Sequence, residues 1–306
     1  MSLHIVLTGA TGLLGRTLLD ALHARGARLT ILTRNPVRAA ESVPQGARVL
    51  LWAPGVAGEW KSAIDGADVV IHLAGEPIAA GRWSTAQKQR ILDSRVHGTR
   101  DIVAAIEAAT TKPRLLLSAS AVGYYGETGD RVVDERSSAG TGFLAEVCSA
   151  WEQEARRAAS SQTRVVITRL GVVLTPRGGA LGKMLPAFRF FVGGPIGPGT
   201  QWFPWVHLDD VIGIMLHAID NVSIEGALNV VSPGIVRNRD FAAVLGRTLG
   251  RPAFFTVPAA AIRLLFGELG GTLLGSQRVH PGRTLASGYQ FRFDTIDRAL
   301  ANLFNG

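Results

Sequence analysis

Thr8-Gly9-Ala10-Thr11-Gly12-Leu13-Leu14-Gly15 follows a short apolar run, Leu3 to Leu7, and leads into a stretch with Leu14, Leu18 and Leu22 four apart. A strand, a glycine turn and a helix N-terminus in that order form an anion site. Gly9 allows a backbone that few side chains permit, Gly12 lets the main chain touch a pyrophosphate, and Gly15 allows close helix-to-strand packing. The amides and the positive helix end then face the anion. Glycine turns are common, so the flanking strand and helix carry the reading more than the glycines do.

A second buried strand is expected at Leu29 to Thr33, ending at Arg34, nineteen positions beyond Gly15. A dinucleotide fold places here the side chain that meets the adenosine ribose. A carboxylate accepts from the 2′-hydroxyl of NAD, whereas an arginine pairs with the 2′-phosphate of NADP. Arg34, with Thr33 beside it and Arg38 one turn on, points to NADP; the alternative is an arginine snorkelling at a strand end. Further strands are expected at Arg48 to Trp52, Asp68 to Leu73, Arg114 to Leu117, Arg164 to Arg169 and Leu228 to Val231. A long helix, opened by a Ser84/Gln87 capping box, separates two of them. This alternation predicts an α/β, Rossmann-type doubly wound parallel sheet, with ligands beyond the carboxyl ends of its strands. Those ends carry the glycine turn, Arg34, Leu73-Ala74-Gly75 and Ser118-Ala119-Ser120.

The whole-chain numbers bound the alternatives. The chain has 306 residues, of which 47% are hydrophobic, enough for a substantial core. One cysteine, Cys148, excludes an internal disulfide framework and suits a reducing compartment. The net charge is +8, yet the only lysines are Lys61, Lys88, Lys112 and Lys183, and the arginines are scattered. Clustered charge is the usual mark of nucleic-acid binding, so no nucleic-acid partner is expected. No apolar run reaches the length of a membrane span and no secretory signal is apparent, so a soluble, cytoplasmic protein without a membrane partner is expected. The seven histidines show no metal-ligand spacing, and no metal site is expected.

Thr8–Gly15, His72-Leu73-Ala74-Gly75 and Arg95-Val96-His97-Gly98-Thr99 together resemble the extended short-chain dehydrogenase/reductase superfamily. More narrowly, the chain resembles the atypical branch of NAD(P)-dependent epimerase-like, or sugar-nucleotide epimerase family, proteins. Ser118-Ala119-Ser120-Ala121-Val122-Gly123-Tyr124-Tyr125-Gly126, Gly193-Gly194-Pro195-Ile196-Gly197, Phe203-Pro204-Trp205-Val206-His207 and Gln277-Arg278-Val279-His280-Pro281 carry that narrower likeness. The resemblance implies that Gly9, Ala10, Thr11, Gly12, Leu13 and Leu14 cradle a pyrophosphate and that Leu73, Ala74 and Gly75 line the adenosine-to-ribose path. It puts Ser120 at the catalytic hydroxyl and the backbone around Gly171 and Val172 at the nicotinamide amide. Arg95 stands where such proteins often carry asparagine, and a cation there could reach a phosphate but cannot accept a hydrogen bond.

The resemblance also implies a tyrosine with a lysine four positions later as proton relay, the ammonium lowering the phenol pKa. The corresponding stretch reads Phe143-Leu144-Ala145-Glu146-Val147-Cys148, with neither residue. Tyr124 and Tyr125, close after Ser120, are the substitute phenols, with Arg169 as a candidate to steady a phenolate. The alternative is that both rings pack as a wall around the cofactor or substrate. Cys148, on an apolar helix with no partnering histidine, reads as a small core residue.

After Thr175-Pro176 the chain turns rich in Gly, Pro and aromatic residues, ending in Trp202, Phe203, Trp205 and His207. This reads as a substrate wall or as a hinge. Asp209 and Asp210 start a helix running to about Asp220, capped at its N-terminus. Helices are expected at Phe241 to Leu249 and Ala259 to Phe266, then a short strand at Tyr289 to Phe293 and a final helix. The expected organisation is an NADP-binding domain at 1–175, with 208–232 returning to it, and a smaller, mainly helical substrate-side lobe from 176–207 and 233–306. The expected activity is NADP-dependent hydride transfer, or an epimerisation using it, on a small hydroxyl, carbonyl or sugar-nucleotide substrate. The opposing reading is a non-catalytic NADP-dependent binding or regulatory protein.

Overall fold

Ile5, Val6 and Leu7 are wholly buried, as a strand covered on both faces requires. The computed structural model describes residues 2–305. Its main sheet comprises β1 (His4–Thr8), β2 (Arg28–Thr33), β3 (Arg48–Leu51), β4 (Val69–His72), β5 (Leu115–Ala121), β6 (Arg164–Leu170) and β7 (Gly226–Val230). In space they run β7-β6-β5-β4-β1-β2-β3, every pair parallel. The order reverses between β1 and β4, which is where an open parallel sheet leaves a crevice at its carboxyl edge.

The helices used below are α1 (Leu13–Ala24), α2 (Thr85–Ala108), α3 (Phe143–Arg156), α4 (Gly179–Arg189), α5 (Leu208–Asp220), α6 (Asn238–Leu249), α7 (Ala259–Phe266) and α8 (Ile296–Asn305). One sheet face is covered by α1 and α5, through Leu18, Leu22, Val211 and Met215. The other is covered by α2 and α3, through Ile102, Ile106 and Ala155. A third core gathers Leu185, Trp205, Phe241 and Leu300 from α4, α6, α8 and the chain before α5.

Several expectations shift in detail. β5 runs to Ala121, so Ser118 and Ser120 lie within the strand rather than beyond its end. Helix α5 begins at Leu208, and its cap is His207, whose Nδ1 accepts from the Asp209 amide at 3.1 Å. Asp210 does different work. It is buried and accepts from the Tyr289 hydroxyl at 2.9 Å and from the amides of Arg292 and Phe293 at 2.8 and 3.0 Å. Residues 289–293 therefore form no strand: one carboxylate takes the amides that a ladder would have used. A short parallel pairing of Arg278–Val279 with Val132–Val133 brings the chain before that segment back beside the loop after β5. No helix among the described residues is long and apolar enough to cross a membrane.

Candidate active site

Two glycines of the turn at the end of β1 are pressed against backbone. Gly9 has φ +73°, and a Cβ there would stand 2.8 Å from the Leu73 carbonyl carbon, in the loop after β4. A Cβ on Gly15 would stand 2.1 Å from the Gly9 oxygen, so α1 meets β1 at a distance only glycine allows. Gly12 is exposed and has only a mild neighbour, the Gly9 oxygen at 3.2 Å. As N-cap of α1 it offers no side-chain acceptor, and the first turn holds no acidic residue. The leading amides of α1 are thus uncapped at the positive end of the helix, an arrangement that fits a pyrophosphate. Ala10 is buried in the turn, Thr11 is exposed, and Leu13 and Leu14 are half-buried.

Around this turn the other strand ends converge. Arg34, exposed at the end of β2, makes no ion pair among the described residues, nor does Arg38. Thr33 Oγ1 accepts from the Asn35 amide at 3.3 Å, shaping the turn that presents Arg34. Leu73 and Ala74 donate their amides to Thr8 Oγ1, each at 3.2 Å. The Thr8 hydroxyl in turn lies 2.8 Å from His72 Nδ1. With its acceptor capacity taken by the two amides, it donates to Nδ1, so the imidazole carries its own proton on Nε2. Nε2 has no partner, and the ring meets Trp52 edge-on at 5.8 Å. Burial, followed by the nearby Arg95 cation, pushes the His72 pKa down to about 4.

Arg95 is turned inward. Its Nη1 donates to the carbonyls of Glu76 and Ile91 at 3.0 and 3.1 Å, its guanidinium lies 5.1 Å over the Trp151 ring, and a Cβ at Gly75 would stand 3.2 Å from the guanidinium carbon. Burial pulls its pKa below the ordinary arginine value.

Ser120, Tyr124 and Tyr125 meet around a charge pair that sequence reasoning missed. Glu152 on α3 is fully buried. Its Oε1 accepts from Ser120 Oγ and Arg169 Nε, both at 2.8 Å, and its Oε2 from Arg169 Nη2 and Arg156 Nη2 at 2.8 and 2.7 Å. The Arg169 Nη1 donates to the Tyr125 hydroxyl at 2.8 Å, and that hydroxyl donates to Asn229 Oδ1 at 2.7 Å. Burial pushes the Tyr125 phenol up to about 12, against the pull of Arg169. Ser120 and Tyr125 are therefore buried and committed to internal partners. Tyr124 differs: it is half-buried, its ring stacked 3.5 Å from the Arg169 guanidinium.

The relay positions hold no acid or base. Phe143 opens α3 with Trp83 edge-on to its ring and the Lys88 ammonium 4.7 Å above it, and Val147 is buried. Lys88 itself pairs with Glu268 at 2.8 Å. Cys148 is buried, and burial pushes its thiol up to about 11. After β6, the Val172 amide donates to the Pro204 carbonyl at 2.7 Å, while Gly171 is pressed against the same oxygen. Among the described residues, no group of three or more His, Cys, Asp or Glu is arranged to hold a metal ion.

The chain is similar to known proteins along nearly its whole length. The profile of the NAD dependent epimerase/dehydratase family matches residues 5–230, and a domain of unknown function, DUF1731, matches residues 257–303. The chain is 36% identical over 305 residues to the epimerase family protein SDR39U1 of Homo sapiens, covering 98% of this chain and 99% of that protein. It is 39% identical over 302 residues to a chloroplastic SDR39U1 homologue of Arabidopsis thaliana, covering 97% of this chain and 85% of that one. The crystal structure of human SDR39U1 (isoform 2) with NADPH superposes with a TM-score of 0.88 at 35% identity, covering 99% of this chain and 100% of that one. MoeE5 in complex with UDP-glucuronic acid and NAD shares the fold, with a TM-score of 0.79 at 20% identity over 99% of this chain and 98% of that one.

Proposed function

Because the chain belongs to the NAD dependent epimerase/dehydratase family, we propose that it is an NADP(H)-dependent oxidoreductase or epimerase acting on a small hydroxyl or carbonyl compound. Sugar nucleotides are the first substrate class to test, since a protein of the same fold was crystallised with one. The observation that carries the reading is the uncapped amide cradle of α1 beside an Arg34 that has no internal partner. The relative crystallised with NADPH supports the same cofactor here.

When bound, NADP(H) supplies or takes up hydride; everything else falls to the chain. Gly9 to Leu14 would hold the pyrophosphate, and the Arg34 fork would pair with the 2′-phosphate, with Thr33 shaping its turn. Leu73, Ala74 and Gly75 would line the ribose path, and Arg95 would brace that loop from behind rather than reach a phosphate. Val172, with its amide already used, would meet the nicotinamide side through the remaining backbone. Residues 1–175 and 208–232 would carry the cofactor, and 176–207 with 233–306 the substrate side.

Tyr124 is the phenol we assign to exchange a proton with the substrate, because its hydroxyl has no partner among the described residues and a cation steadies its ring. Ser120 has its proton committed to Glu152, so its free lone pairs suit accepting from a substrate hydroxyl after a small rearrangement. Tyr125 is a positioning residue, holding Arg169 under Tyr124. The test is oxidation of NADPH in the presence of carbonyl compounds and sugar nucleotides. Turnover lost in Tyr124→Phe but kept in Tyr125→Phe supports the assignment; equal loss in both refutes it. Phe143 and Val147 favour a second reading, a binding protein without chemistry. Tight NADPH binding with no turnover on any compound would select it.

A further inference from the structure

Residues 155–208 and 241–267 contain no aspartate or glutamate; their cations include Arg177, Lys183, Arg189, Arg251 and Arg263, while Arg247 pairs with Asp297 at 3.0 Å. The two stretches meet in space. The Val257 amide donates to the Pro195 carbonyl at 2.9 Å and the Gly197 amide to the Val257 carbonyl at 2.8 Å, while the Arg251 guanidinium lies 4.6 Å over the Phe191 ring. At this junction two aromatic pairs stand out from the surface: Phe190 is 77% exposed and Phe191 52%, Phe254 72% and Phe255 48%. Helix α7, which follows directly, adds Leu264 at 75% and Leu265 at 64%. An apolar patch of this kind on a soluble surface marks a contact with something else.

The end of α4 is built to display these rings. The Val192 amide donates to the Ala187 carbonyl at 2.9 Å and the Phe191 amide to the Phe188 carbonyl at 3.0 Å, the pattern of a Schellman motif. The motif's left-handed position usually takes glycine. Here it is Phe191, at φ +64°, the one non-glycine residue with positive φ among the described residues. A phenylalanine kept at a strained position, where half of it stays exposed and the rest meets Arg251, breaks a local rule, which points to a use for the ring itself.

We propose that this face docks the protein peripherally on an anionic lipid bilayer, with Phe190 and Phe254 entering the interface and Arg189 and Arg251 at the headgroups. Protruding aromatic rings ringed by cations fit such an interface, and no spanning helix is required. A second copy of the chain fits poorly. A two-fold contact would set the patch against itself, arginines facing arginines with no carboxylate from either stretch to pair them. The inference is independent of the cofactor reading, because neither the glycine turn nor Arg34 contributes to the patch.

Sedimentation with vesicles tests it directly, using phosphatidylcholine alone and phosphatidylcholine mixed with phosphatidylglycerol. The full chain is expected to bind the anionic vesicles, more weakly as salt rises, and to ignore the neutral ones. The double variant Arg189→Glu/Arg251→Glu should lose more than about tenfold in affinity, and Phe190→Ser/Phe254→Ser should lose binding as well. Val37→Ser/Val222→Ser, which removes exposed apolar groups elsewhere, should change nothing. Circular dichroism and thermal melting of each variant report that it has folded. No binding to anionic vesicles, or binding indifferent to the patch variants, overturns the proposal. So does a concentration-dependent dimer in solution that Phe190→Ser/Phe254→Ser dissolves, which would assign the face to a second copy.

Discussion

Glu152 and Arg169 form a two-point ion pair inside the molecule, Nε to Oε1 and Nη2 to Oε2, both at 2.8 Å, with side chains 0% and 2% exposed. A fork-to-fork pair in so dry a place fixes both partners in angle as well as distance. It thereby sets the positions of Ser120 on one side and of Tyr124 and Tyr125 on the other.

Removing one member of the pair should cost far more than removing what hangs on it. We predict that Glu152→Ala destabilises the fold by about 3–5 kcal/mol, because the Arg169 cation is left buried and uncompensated. Ser120→Ala should cost about 1 kcal/mol, since Glu152 keeps its guanidinium partners. Glu152→Leu combined with Arg169→Leu should lose less than Glu152→Leu alone. Urea unfolding of the variants checks all three, and a Ser120→Ala cost as large as that of Glu152→Ala would contradict the account.

His72 should leave a mark on acid stability. Its folded pKa of about 4 lies below the ordinary 6.5, so between these values the unfolded chain binds a proton that the folded chain refuses. Stability from this group is therefore full above pH 6.5 and is lost as the pH falls towards 4, by roughly 3 kcal/mol in all. Unfolding free energy measured across that window in His72→Asn should slope less steeply than in the parent protein. Identical slopes would mean that the imidazole is not held neutral.

Cys148 should be inert in the native protein. Burial lifts its thiol to about 11, which leaves little thiolate at neutral pH, and the side chain is buried. Thiol labelling is expected to be slow until denaturant is added, then complete. Rapid labelling of folded protein would return Cys148 to the list of reactive groups.

The buried pair also shows what the sequence could and could not disclose. The sheet was legible because each strand is a short run of buried aliphatic residues and each crossover carries helical spacing, so period and punctuation agree. The glycine turn was legible for the same reason: its requirements are local. Glu152 and Arg169 are 17 residues apart and become partners only when α3 lies against β6. A signal did exist. Glu152 falls on the same helical stripe as Ala145, Cys148 and Ala155, and Arg169 ends a run of buried strand residues, so both charges head inward and each needs an opposite. Asp210 caps no helix because the donors it accepts from, the amides of residues 292 and 293, lie 82 and 83 residues away, beyond the reach of any local pattern. Tyr289 to Phe293 was misread as a strand for the converse reason.

Two glycines of the turn should fail in different ways. A Cβ on Gly15 meets backbone atoms at 2.1 to 2.8 Å, so Gly15→Ala should unfold or strongly destabilise the domain. A Cβ on Gly12 meets only the Gly9 oxygen at 3.2 Å, so Gly12→Ala should fold yet bind NADPH roughly tenfold or more weakly, because the methyl stands where the pyrophosphate must approach. Thermal melting with and without NADPH separates the two effects. A Gly12→Ala protein with unchanged NADPH affinity would place the dinucleotide elsewhere.

The central claim is that NADP(H) lies along the carboxyl edge of the sheet with its 2′-phosphate on Arg34. Calorimetric titration of the parent protein and Arg34→Ala with NADPH and with NADH tests it most directly. The account predicts that NADPH affinity falls by about 10- to 100-fold in the variant, the worth of a lost charged hydrogen bond, while NADH affinity stays as it was. Equal losses for the two nucleotides, or no loss for NADPH, would contradict it.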